Sequence, residues 1–159
     1  MNLILKFHPK HLAYYLNKDL YGIIPVETNL NVTGDRVRQV LEEVTQEIKI
    51  ENIVVEKPFL RLLGNADERK TLAKHIIHVQ RTFGVILYIV HMLFRGVPQA
   101  HISSKIARDT IYKRDISKDT QLSEASALLN NCQAFSPLTL LSLHDCLVMN
   151  RYFKENLNG

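Results

Sequence analysis

Hydrophobic spacing along the chain changes near residue 60. Before that point, short apolar runs surround one amphipathic stretch. Asn2–Phe7 (NLILKF), Gly22–Val26 (GIIPV) and Ile53–Glu56 (IVVE) have the length and β-branched content of strands. Pro25 lacks a ladder donor, which places its strand at a sheet edge or Pro25 itself at the strand end. Pro9 suits the first position of a helix, so a short helix is expected through about Lys18, with Leu12, Tyr15 and Leu16 on one face. Between Thr33 and Lys49, Val37, Val40, Leu41, Val44 and Ile48 recur at helical spacing opposite charged and amide side chains. That pattern predicts a helix packed on one side, capped by Thr33 or Asp35. Phe59–Leu63 reads as either strand or connector.

After Gly64-Asn65 the spacing is helical throughout. Asn65 with Glu68 forms a capping-box start, and the helix it opens runs to about Phe94, with Gly96 and Pro98 as stop signals. Further helices are expected over Pro98–Arg114 (with Ile102, Ile106 and Ile111 inward), Gln121–Asn131, and from Ser136-Pro137 to about Lys154, with residues 115–120 a polar turn. The fold class is therefore α+β: a small N-terminal sheet of about three strands with two helices, then a mostly helical part built on one long apolar helix. The expectation is a single domain over residues 1–159, with Gly64-Asn65 the seam between an α/β part (1–63) and a helical part (65–159). Ile76–Phe94 is apolar, but His78, Arg81 and His91 interrupt it. It reads as a buried core helix between the sheet and the C-terminal helices, not a membrane span.

Composition narrows the class without naming a function. The chain has 159 residues, 46% hydrophobic and 23% charged, which excludes a disordered chain, a collagen-like repeat and a disulfide scaffold. The formal net charge of +4 is concentrated in residues 95–118. Clustered cations favour a polyanionic partner, so Lys105, Arg108, Lys113, Arg114 and Lys118 are candidate nucleic-acid-binding residues. Residues 99–114 could also act as the reading helix of a helix–turn–helix. Cys132 and Cys146 have no zinc-site spacing, and the start MNLILKFHPK lacks the apolar run of a signal peptide, so the expected setting is cytoplasmic. No cofactor motif is present, neither GxGxxG nor Walker A, and no cofactor is expected.

Seven histidines supply the remaining candidate chemistry. His75 and His78 lie one turn apart with Glu68 on nearly the same stripe, a set short of the spacings of metal helices, and no metal is expected there. His144-Asp145 invites a phosphohydrolase reading, but no Asp follows position 145 to complete it. Ser142, His144 and Asp145, all on one helix, point in different directions and form no triad. Tyr14, Tyr15 and Tyr21 lie near His8 and His11, where they could stack a ring or cover a sheet edge. Arg95-x5-His101 and Arg69-x5-His75 resemble the R-x(4–6)-H motif of HEPN ribonucleases. That resemblance implies metal-independent RNA cleavage, with Arg95 and His101 acting on the scissile phosphate inside a helical bundle.

The favoured reading is a non-enzymatic intracellular binding or assembly protein. Its basic helical face would meet nucleic acid or an acidic protein, or serve a homo-oligomer, with no membrane partner. A HEPN-like endoribonuclease using Arg95 and His101 is one alternative. A phage or mobile-element structural or regulatory protein with protein partners only is the other.

Overall fold

The computed structural model describes residues 1–56 and 64–157. The Phe59–Leu63 segment read as strand or connector lies outside them. Three strands open the chain: β1 (Asn2–His8), β2 (His11–Tyr15) and β3 (Tyr21–Pro25). They are followed by α1 (Leu30–Thr45), β4 (Asn52–Glu56), α2 (Ala66–Leu93) and β5 (Gln99–His101). Three more helices end the fold: α3 (Ser104–Tyr112), α4 (Lys118–Leu128) and α5 (Pro137–Tyr152), the last running into a π-helical turn, Phe153–Leu157.

The strands form one sheet in the order β3-β2-β1-β4-β5. β2 pairs antiparallel with β1 and β3, while β1–β4 and β4–β5 are parallel. The class is α+β, as the sequence indicates, with five strands in place of about three. Two sequence expectations fail at prolines. The helix expected from Pro9 is a hairpin: His8 pairs with His11, leaving Pro9-Lys10 as the turn, and β2 is buried along its whole length. A fixed φ near −65° suits a turn as well as a helix start. The helix expected over Pro98–Arg114 begins only at Ser104, capped by Ser103. Ahead of it Pro98 accepts a bond from Ile53 N, and residues 99–101 add an edge strand to β4. The helix–turn–helix reading therefore has no reading helix over 99–114. Pro25 ends the opposite edge strand, as its missing donor requires.

Both faces of the sheet are covered. Leu3, Leu5 and Phe7 of β1 project to one side, where they pack with Val37 and Leu41 of α1 and Val79, Phe83, Ile86 and Val90 of α2. Ile4 of β1 and Val54 of β4 project to the other, against Ala107 of α3, Ala125 of α4, and Leu143, Cys146 and Met149 of α5. The layers are thus α1α2, sheet, α3α4α5.

This layering corrects the placement of the long helix. α2 does not lie between the sheet and the C-terminal helices; it flanks the opposite face beside α1. It begins at the expected Asn65–Glu68 capping box. By length and composition it could cross a membrane, and with only 28% of its most apolar window buried it is not the buried core helix the sequence suggests. Ile77, Tyr88 and Met92 are exposed. α1 approaches it closely at Gly34, where an added Cβ would lie 3.1 Å from Ile89 and 3.3 Å from Val85. The cap of α1 is Asn29, rather than Thr33 or Asp35, because its side chain reaches the amides of Asn31 and Val32. α4 starts at Lys118, earlier than expected, because Ser117 caps it.

Leu143 of α5 is fully buried in the second core. Leu143→Ala is expected to cost about 2–5 kcal/mol, read as a lowered urea midpoint with unchanged slope.

Candidate functional site

Strand alternation brings Lys6 and His8 of β1 to the face covered by α5, at the carboxyl end of the strand. The register places Glu56 of β4 beside Lys6, and His11 of β2 beside His8. In open α/β sheets the carboxyl ends of parallel strands are where ligands bind. Here those ends carry polar residues, whereas the middles of the same strands carry Ile4 and Val54.

Lys6 Nζ bonds Glu56 Oε2, lies 3.5 Å from Asp145 Oδ2 and 3.5 Å from Ser104 Oγ. Arg108 Nη1 bonds the other Asp145 oxygen, Oδ1. Glu56 Oε1 accepts from Ser104 N at 2.7 Å and from Ser104 Oγ at 3.0 Å. Glu56 therefore sits at the N-terminus of α3, where free amides and the helix dipole favour an anion. These four charged side chains are 14–24% exposed, sheltered but reachable from solvent. Burial pushes the Asp145 carboxyl above its ordinary range, and Lys6 and Arg108 pull it back.

A histidine pair flanks this cluster. His8 and His11 stack with centroids 4.6 Å apart, and His11 Nε2 is 2.8 Å from Ser142 Oγ. His8 Nδ1 accepts from Lys10 N at 3.1 Å, so its proton is on Nε2. Burial lowers both pKa values, aided by Lys6 and Lys10 at His8 and by His8 and Lys6 at His11, and His11 falls to about 4. Both rings are neutral near pH 7. Ser142 and Asp145 stand one turn apart on α5, so one helix face serves both the histidine pair and the charged cluster.

His144 points away from both. It is fully buried, with Nε2 3.2 Å from Glu124 Oε1 and 3.4 Å from the Tyr112 hydroxyl. Burial holds it neutral, so Nε2–H donates to the carboxylate and Nδ1 is left unpaired. Ser142, His144 and Asp145 thus form no triad, as their sequence spacing indicates.

The sequence-derived candidates fall mostly elsewhere. Arg95 lies in the turn after α2 with its guanidinium against Met92, and His101 ends β5; the strand separates them, and neither sits in a helical bundle. Lys105 is exposed and paired with Asp109 one turn on. Arg108 turns inward to Asp145. Lys113 caps α3 in the left-handed conformation, and Lys113, Arg114 and Lys118 are exposed. Among the described residues, no three His, Cys, Asp or Glu side chains converge to hold a metal, His75 and His78 included. Sequence spacing joins neither Lys6 to Glu56 nor either of them to His8 and His11, which it places only near Tyr14, Tyr15 and Tyr21. The available signal was a polar residue ending each of two apolar strands, LKFH and VVE.

No family model matches the sequence, and no curated protein matches it. Solved structures do match in fold. Thermus thermophilus RuvC in complex with Holliday junction substrate aligns with a TM-score of 0.67 at 12% identity, over 97% of this chain and 94% of that one. A second structure of Thermus thermophilus RuvC gives 0.62 at 13%, over 97% and 95%. The yeast mitochondrial Holliday junction resolvase Ydc2 gives 0.54 at 12%, over 99% and 81%. These likenesses correct the expectation of a non-enzymatic binding or assembly protein, and with it both alternatives. The fold neighbours are resolvases, and a five-stranded sheet stands where the HEPN reading requires a helical bundle.

The histidines determine an acid sensitivity. His8, His11 and His144 all have folded pKa values below the ordinary 6.5, so the unfolded chain binds more protons as pH falls below that value. Their stabilising contribution is complete above pH 6.5 and is lost as pH falls through the folded values, near 4 for His11. Asp145, with a raised pKa, acts in the opposite sense, its ionisation costing stability as pH rises through the carboxylate range. Thermal melts between pH 7 and pH 4 are expected to show a falling Tm, with a shallower fall in His11→Gln.

Proposed function

We propose that this chain is an enzyme that cuts the phosphodiester backbone of branched DNA, with its site at the carboxyl ends of β1 and β4. The observation that carries the reading is a coincidence of place. A resolvase-like fold spans 97% of the chain, and its sheltered charged cluster lies at the end of the sheet where such a fold binds ligands.

Hydrolysis of a phosphodiester forms one bond from a water oxygen to phosphorus and breaks one from phosphorus to a sugar oxygen. Negative charge grows on the phosphoryl oxygens as this happens. Fixed cations aimed at that charge lower the barrier, and here Lys6 and Arg108 are the cations, held in place by Glu56 and Asp145. The N-terminal end of the α3 dipole adds a field of the same sense. The attacking water loses a proton and the leaving sugar oxygen gains one. The His8–His11 pair beside the cluster is in its neutral, proton-accepting form near pH 7, with His11, lowered to about 4, a weaker base than an ordinary imidazole. Lys105, Lys113, Arg114 and Lys118, exposed on and after α3, serve as phosphate contacts for the flanking duplex.

Carboxylate pairs that work on phosphodiesters commonly hold divalent cations. The residues present do not fit one as folded. Every oxygen of Glu56 and Asp145 already meets a cation or an α3 donor: Lys6, Arg108 and Ser104 between them.

Four-way-junction DNA with labelled strands is expected to be nicked by the wild-type protein. Glu56→Gln and Asp145→Asn are expected to lose about a hundredfold or more in cleavage rate while still shifting the junction in a native gel. Junction binding without cleavage by the wild-type chain overturns the reading.

A further inference from the structure

The cluster at the carboxyl ends of β1 and β4 has an internal cation where a carboxylate pair would otherwise recruit one from solution. Lys6 reaches Glu56 and Asp145 from the strand between β2 and β4, and among the described residues its ammonium is the one group facing a carboxylate on each of two different elements. Arg108 completes the charge balance on Asp145. Two anions and two cations leave the cluster formally neutral. A divalent cation approaching it meets the full repulsion of the Lys6 ammonium, in a sheltered site where charges are weakly screened.

We infer that the Lys6 ammonium occupies the cation position of this site, so that the Glu56–Asp145 pair takes no divalent metal in the native protein. The inference rests on the proposed nucleic-acid-cutting function for its use, but not for its test. Lys6 is tethered to a buried strand near its carboxyl end, Ile4 and Leu5 preceding it in the two cores and Phe7 following it. Its positive charge is supplied by the fold and is present whenever the chain is folded. Removing that charge while keeping the stem length leaves the two carboxylates with one guanidinium, that of Arg108 on Asp145, to balance them. That set carries a net negative charge and oxygen donors of the kind hard divalent cations take.

The consequence is a gain of binding, which a merely damaged site does not give. Mn²⁺ is titrated by calorimetry into wild-type protein, Lys6→Met, and the double variant Lys6→Met/Glu56→Gln, each checked for native melting. Wild-type protein is expected to show no Mn²⁺ site at millimolar concentration. Lys6→Met is expected to gain one Mn²⁺ per chain, on the order of a hundredfold tighter or more, and the double variant to lose it. Lys6→Gln provides a second stem of different polarity should Lys6→Met not fold. Stoichiometric Mn²⁺ binding by the wild-type protein that Glu56→Gln abolishes overturns the inference, as does absence of gain in a folded Lys6 variant. A chain that fails to cut DNA but shows the gain keeps this inference and loses the proposed function. A chain that cuts DNA only with Mn²⁺ bound at Glu56 does the reverse.

Discussion

The Lys6 ammonium ties together four elements that arrive from distant parts of the chain. It stands on β1, bonds Glu56 on β4, faces Ser104 at the start of α3 and approaches Asp145 on α5. Sheltering two carboxylates costs several kcal/mol per ion unless each is paired and its remaining oxygens are bonded. Glu56 and Asp145 meet that condition only when the strand register, the α3 cap and the α5 rotation are all correct at once. The cluster therefore specifies one arrangement of the C-terminal helices over the sheet more strictly than apolar packing alone, which tolerates sliding. The same arrangement leaves its charged atoms partly open to solvent at one end of the sheet.

The two cores around that sheet are unequal in what they demand. The face under α3, α4 and α5 meets three short helices and the polar cluster, and α5 is buried at six positions from Ser142 to Met149. The face under α1 and α2 meets only two helices. α1 contributes a narrow apolar stripe, and α2 reaches well past the sheet because 28 helical residues are longer than any of its strands. Its C-terminal half packs; much of the remainder stays exposed, apolar residues included. Apolar composition alone thus misreads α2 as central, since burial depends on whether there is a partner surface opposite each turn.

Much of the secondary structure is legible in the residues themselves. The Asn65–Glu68 capping box, the Ser136-Pro137 helix start and the spacing in α1 all encode local structure through bonds within a few residues, and each element forms where those bonds require. Legibility fails where one residue type serves two local conformations. Pro9 suits a helix start and a hairpin turn alike, and the pairing of His8 with His11 across it is a long-range choice made by the sheet. Likewise Pro98 could open a helix or precede a strand, and β5 exists only because β4 offers an unpaired parallel edge.

The site shows the same division more sharply. Asp145 was visible as half of a His-Asp doublet, and Arg108 as one of a basic run, but their pairing was not. Lys6, Glu56 and Asp145 stand far apart in sequence, and nothing in local spacing joins a strand lysine to a carboxylate on another strand and a third on the last helix. The α+β class, most helix starts, the apolar strand interiors and a positively charged segment can be read from the residues alone, because they follow from propensity and short-range bonding. Which charges meet is settled by the folded arrangement, because parallel pairing of β1 with β4 and the packing of α5 across them are contacts between distant residues. Those contacts form when both faces of the sheet are buried together.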